Sequence, residues 1–151
     1  MKTAIVLALV TTLAAGAALA RSATRQEPAV PPPPFESFRM DELRERRAEL
    51  GRSYLSFLER STLSCGLYRI GAGERDGQSP HAQDEVYHVL AGKGRFTAGE
   101  ETVDVASGDV LFVAARAAHR FHDVAEDLEV LVFFSAADPG GEGDGDGPAI
   151  R

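Results

Sequence analysis

The chain has 151 residues, a length for one domain rather than two. Its 16 basic and 23 acidic side chains give a net charge of −7, which leaves no basic surface for phosphates and speaks against a nucleic-acid partner. The single cysteine, Cys65, excludes an internal disulfide framework and any Cys-rich zinc module.

Residues 1–20 combine Lys2, an apolar run over 4–13 and an Ala18-Leu19-Ala20 cleavage pattern. That is the build of a secretory signal peptide, with the mature chain starting at Arg21. An uncleaved membrane anchor is the alternative, but the run is marginal in length for it and ends in small residues rather than a charged stop. The expected location is therefore periplasmic or secreted, with no membrane attachment after cleavage. Residues 21–38 read as a Pro-rich linker, with Pro31, Pro32, Pro33 and Pro34 in succession favouring extended polyproline. Residues 39–136 read as the folded domain. Residues 137–151 are rich in Gly, Asp and Glu and read as a solvated, disordered tail. Its Glu142, Asp144 and Asp146 lack the full spacing of a calcium loop.

The domain opens with an expected helix over 40–50, with Asp41 as N-cap, Gly51 just past its end, and Leu43 and Leu50 sharing one face. From Ser53 the pattern switches to period two. About eight short strands are expected, over 53–59, 62–70, 85–90, 95–98, 101–105, 109–113, 118–124 and 128–135. Turn signals such as Gly92-Lys93-Gly94 separate them. The fold class is all-β, a sandwich or barrel with one short N-terminal helix. Strands never alternate with helices, which excludes a parallel α/β sheet. Cys65, in phase with Leu63 and Leu67, is expected as a small buried hydrophobe.

The four histidines, His81, His88, His119 and His122, fall in two short segments. In the first, Gly73, Ser79, His81, Glu85 and Gly92 follow one another at set spacing. In the second, Gly108 is followed by Ala114, Arg116, His119 and Asp123. These segments resemble the two motifs of the cupin family, as do the strands DEVYHVLAGKGRF and SGDVLFV. Ser79 stands where the first motif has a leading histidine. Ala114, Arg116 and Asp123 stand where the second has Pro, Gly and Asn. The resemblance covers about residues 54–135. It implies a double-stranded β-helix (jelly-roll barrel) and one divalent metal held by His81, Glu85 and His119, with Ser79 in the fourth place. Ser79 and Gln83 are candidates for orienting a metal-bound water.

Two imidazoles and one carboxylate suit iron, and also accept manganese, nickel or zinc. Three protein ligands leave open positions for substrate or water. The same residues also fit a metal-free set, with both histidines hydrogen-bonded to Glu85. On strand parity His88 and His122 face away from the site. Tyr87, Phe112 and Phe121 have inward parity or lie next to it. Tyr68, Val86, His88 and Leu90 are expected to form an outward apolar face, best hidden in a homodimer. Two function classes follow. One is a metal-dependent enzyme on a small organic substrate, with oxygenase-like, isomerase or lyase chemistry. The other is a non-catalytic small-molecule-binding module, with or without metal.

Overall fold

The computed structural model describes residues 32–136. The signal-peptide and tail expectations, and most of the linker, lie outside them. Everything below concerns the compact unit that begins at Ser37. The last linker residue expected, Phe38, packs edge-on against Phe57 of the domain, with ring centroids 4.9 Å apart.

Helix α1 spans Met40–Glu49. Asp41 is not its N-cap: Arg39 holds that position without a side-chain cap bond, and Asp41 and Glu42 sit in the first turn. There they favour the positive end of the helix dipole, as Arg46 and Arg47 favour the negative end. Gly51 follows at φ 62°, a left-handed conformation suited to glycine. Of the two leucines expected on one face, Leu43 is buried and Leu50 is about half exposed. With so thin an apolar stripe, the helix is also held by a charge pair. Arg44 Nε donates to Glu129 Oε2 at 2.8 Å, and its Nη2 lies 2.6 Å from the same oxygen.

The strands are β1 (Tyr54–Glu59), β2 (Leu63–Ile70), β3 (Glu85–Ala98), β4 (Glu101–Ala106), β5 (Val110–Val113) and β6 (His119–Ser135). They form one antiparallel sheet in the order β1-β2-β6-β3-β4, with β5 also paired to β3. Six strands replace the eight expected because two presumed breaks are continuous. The Gly92–Gly94 segment is no turn. The β3 chain runs through it with register shifts against β6 between Val89 and Arg95. Residues 118–124 and 128–135 likewise belong to one long strand, β6. One edge of β3 pairs with β5 at its start and β4 at its end, while the other pairs with β6 along its length.

The main core lies on one face of this sheet. Tyr68 and Ile70 of β2, Tyr87 and Phe96 of β3, Val105 of β4, Val113 of β5 and Phe121, Val130 and Phe134 of β6 all join it. Burying each such side chain is worth about 1.5–3 kcal/mol. The opposite face carries a smaller cluster of Leu43, Leu55 and Leu67 under α1. Tyr68, expected outside, therefore faces the core, 3% exposed, and Leu90 packs toward the helix cluster. Phe112 goes the other way and is 65% exposed. Cys65 is buried, as its phase implies, and burial pushes its thiol pKa up.

Candidate metal centre

Glu85 opens β3 with its side chain on the core face, 1% exposed. Its backbone stands opposite Phe134 of β6 on one side and Val113 of β5 on the other. His119 opens β6, opposite Ala98 at the far end of β3. The two strand starts lie at opposite ends of the antiparallel β3–β6 pair, so they meet because these long strands, irregular in register between Val89 and Arg95, curl around the core. His81 arrives from the irregular segment before β3. Its carbonyl accepts from the Arg116 N–H at 2.7 Å, which ties the first motif to the second. Arg116 adopts φ 63° to do so. This left-handed conformation costs a non-glycine residue about 1–2 kcal/mol, and it occurs where the motif has glycine.

The three side chains converge. One ligand atom from each of His81, Glu85 and His119 lies within 4.8 Å of the others, and all three residues are buried. His81 Nδ1 and Glu85 Oε1 are 2.7 Å apart. An ionised carboxylate only accepts, so the imidazole nitrogen donates there. At His119, Nδ1 donates to the Ala117 carbonyl at 2.7 Å. That bond fixes the ring and turns Nε2 inward, 3.5 Å from Glu85 Oε1 and 3.0 Å from the Tyr87 hydroxyl. A histidine whose outer nitrogen is held by a carbonyl and whose inner nitrogen faces a carboxylate has the orientation a metal ligand needs. The donor set and its convergence therefore fit a divalent cation.

Burial works against the charge on Glu85, but hydrogen bonds from His119, His81 and Tyr87 outweigh it and hold the carboxyl down at about 2. Burial also works against charge on His119. The Glu85 carboxylate and the Ala117 carbonyl outweigh it and raise the imidazole above its usual 6.5. Burial, then the adjacent Glu85 charge, drives the Tyr87 phenol far above its usual value, so it stays protonated.

These shifts fix a pH profile for the metal-free chain. The Glu85 contribution is fully present above pH 4.5 and is lost as pH falls through about 2. A shift of that size corresponds to about 3 kcal/mol. The His119 contribution is present below 6.5 and fades as pH rises through its raised value. Chelator-treated protein should thus be most stable between about pH 4.5 and 6.5 in chemical denaturation. The acid limb should flatten in Glu85→Gln. An unchanged acid limb in that variant would show that Glu85 is not its source.

The sequence-derived candidates are placed unequally. His81, Glu85 and His119 come together. Ser79 is exposed, while Gln78 beside it points in, its Oε1 lying 2.9 Å from the Tyr87 hydroxyl. Gln83 lines a separate cavity with Tyr54 and Ser64. His88 lies on the outer face, opposite Val110 and Leu131. His122 contacts Thr97 and Asp123. Three residues add to the site. The Tyr87 hydroxyl lies 2.5 Å from Glu85 Oε2. Gln78 Nε2 donates to Asp76 Oδ2 at 2.7 Å, and Asp76 also accepts from the Tyr68 hydroxyl at 2.8 Å. Tyr87 was legible as Glu85 plus two on one strand face. Asp76 and Gln78 lie in an irregular segment, where no periodicity marks a direction.

Residues 66–134 match the family model for the cupin domain. The chain is a cupin. An uncharacterized protein of Streptomyces coelicolor is 51% identical to it over 101 residues, covering 67% of this chain and 96% of that protein. Among solved structures, a cupin 2 conserved barrel domain protein from Rhodopseudomonas palustris superposes with TM-score 0.52 at 21% identity, covering 65% of each chain. DMSP lyase DddQ from Ruegeria pomeroyi gives TM-score 0.55 at 18% identity, covering 68% of this chain and 53% of the lyase. A salicylate 1,2-dioxygenase variant from Pseudoaminobacter salicylatoxidans, in complex with gentisate, gives 0.57 at 16% identity, covering 66% of this chain and 33% of the dioxygenase. At these identities the structural likeness establishes the jelly-roll barrel of the cupins. The cupin spans only about half of the lyase and a third of the dioxygenase.

Proposed function

We propose that this cupin binds one divalent metal through His81, Glu85 and His119 and acts on a small organic molecule. The observation that carries this reading is the inward aim of His119 Nε2 toward Glu85, fixed from behind by the Ala117 carbonyl. A bound metal would supply Lewis-acid or oxygen-activating chemistry at its open positions, which groups oxygenase, lyase and isomerase reactions together. The protein's own part is to hold the ligands and exclude water. Tyr87 keeps its proton and hydrogen-bonds the Glu85 carboxylate. Phe134 packs edge-on to His81, and Phe96 lies against His119. Two of the structural relatives are named for lyase and dioxygenase activities, which supports an enzyme of this general kind. The test is elemental analysis after reconstitution with iron, manganese, nickel and zinc in turn. A stoichiometry near one metal per chain is expected, and none bound with any of the four would refute the reading.

One observation favours the second reading, a non-catalytic and metal-free module. Glu85 already has hydrogen-bond partners in His81 and Tyr87, so its buried charge is satisfied without a metal. The same measurement separates the two.

Export through residues 1–20 is part of this proposal, giving a periplasmic or secreted cupin. Mass spectrometry of the exported protein should show Arg21 at the N-terminus, and an intact Met1 there would refute it. Among the described residues no helix is long and apolar enough to cross a membrane. We also propose a homodimer. Its apolar face keeps Val86 and His88 of the one read from the sequence and has β5 in place of Tyr68 and Leu90. Val110 and Phe112, each 65% exposed, stand on β5 beside Val86 and His88 of β3. Such a patch is best covered by a second copy. Phe112→Glu should shift the protein to monomer in light scattering at micromolar concentration. A wild type that is already monomeric there would sink the idea.

A further inference from the structure

A cavity of about 590 Å³ lies along β1, and its polar lining is unlike the overall charge of the chain. Three guanidinium groups line it: Arg46 from the last turn of α1, Arg52 from the loop that follows, and Arg60 just after β1. Glu59 is the one carboxylate in the lining, and it accepts from the Ser56 hydroxyl at 2.9 Å. Arg60 Nη1 donates to the Glu59 carbonyl at 2.8 Å, so the positive charge offered to a ligand comes from Arg46 and Arg52, in a chain of net charge −7.

The cavity reaches the face of the sheet that carries the metal centre. Opposed residues of antiparallel strands project to the same face. Tyr54, which lines the cavity, stands opposite Tyr68 and packs against the main core. Ser64, also in the lining, stands opposite Phe134, and Phe134 stands opposite Glu85. Ser64 and Glu85 are thus in one cross-strand row, two strands or about 10 Å apart. Gln83, on the same cavity, precedes Glu85 by two residues.

The approach depends on Gly66. A Cβ there would lie 2.2 Å from the Tyr54 ring, so only glycine lets the ring lie across β2. Burial pushes the Tyr54 phenol up to about 12, so it stays a hydrogen-bond donor. Leu50 and Leu55 add an apolar wall. Guanidinium groups pair with carboxylates through parallel hydrogen bonds, and an apolar wall suits a carbon skeleton. A cavity of this volume takes a compact small molecule.

We propose that this cavity binds a small organic acid, with its carboxylate held by Arg46 and Arg52 and its body directed toward His81 and Glu85. The acid's approach to the metal centre rests on the metal reading above, but its binding in the cavity does not. The test is calorimetry on the full-length protein with benzoate, succinate, benzamide and inorganic phosphate. One or both acids should bind, benzoate at least about tenfold more tightly than benzamide, and Arg52→Gln should weaken the acid by about tenfold. In manganese-loaded protein the proton signals of the bound acid should broaden.

Benzamide binding as well as benzoate, phosphate outcompeting both acids, no acid binding, or an Arg52→Gln variant that binds like wild type would each overturn the proposal. Acid bound without manganese broadening, in protein shown by elemental analysis to hold manganese, would place it away from the metal centre and overturn its role there. Protein that binds acid as expected but takes up no manganese would sink the metal reading and leave the acid site standing.

Discussion

His119→Ala is expected to weaken metal binding by at least about a hundredfold, since even outer-sphere partners of metal ligands cost 10–100-fold when removed. The variant removes the one ligand brought from β6, and Glu85 and His81 cannot replace it from the β3 side. His88→Ala should leave affinity close to wild type, because that ring lies on the outer face opposite Val110 and Leu131. Ser79→His should also change little. Ser79 is exposed, and the inward position beside it is already taken by Gln78.

The pH dependence has a definite sign. A metal needs the His119 Nε2 lone pair, and the proton that competes for it is held more tightly than usual because the imidazole pKa is raised above 6.5. Affinity should therefore begin to fall as pH drops through neutrality. The check is metal titration calorimetry of the three variants and wild type between about pH 5 and 8. Retention of metal by His119→Ala at wild-type affinity would show that the site is elsewhere.

The sequence was informative where a residue's neighbours in the chain decide its surroundings. Alternation in β3 put Glu85 and Tyr87 on one face and His88 on the other. The motif spacing brought His81, Glu85 and His119 into one set. It was uninformative where a distant strand decides. Tyr68 alternates with Leu67 and Cys65, and all three are buried, because β2 has the core on one side and α1 on the other. A strand covered on both faces loses the polar half of its pattern, so the sequence could not tell which face was solvent. Phe112 shows the converse. Its parity is opposite to that of buried Val113, and an exposed phenylalanine looks like a core residue until its strand is paired. Asp76 and Gln78 were missed for a third reason. Their roles come from contacts with Tyr68 and Tyr87 across an irregular segment, and no repeat in the chain encodes those contacts.

The Gly92 region is the sharpest difference between pattern and structure, and it carries the second large effect. Gly92-Lys93-Gly94 has the composition of a turn, yet β3 continues through it while its register against β6 shifts. Two physical demands meet at Gly92. Its φ of 91° lies in the left-handed region, which costs other residues about 1–3 kcal/mol. A Cβ there would also stand 2.1 Å from the Asp127 carbonyl oxygen and 2.8 Å from Leu128 Cα, both backbone atoms that cannot swing aside. Forcing β6 away at Leu128 would disturb the core cluster that Leu128 shares with Tyr87 and Phe121. Gly92→Ala is therefore expected to cost about 3 kcal/mol or more, a large part of the stability of a small domain. Gly99→Ala is the matched control. Gly99 has φ 58° but no atom within 4 Å of its Cβ position, so it should lose only about 1 kcal/mol. Urea denaturation of the two variants measures the difference. Equal losses would mean that backbone conformation alone, and not the close approach of β3 to β6, requires glycine at position 92.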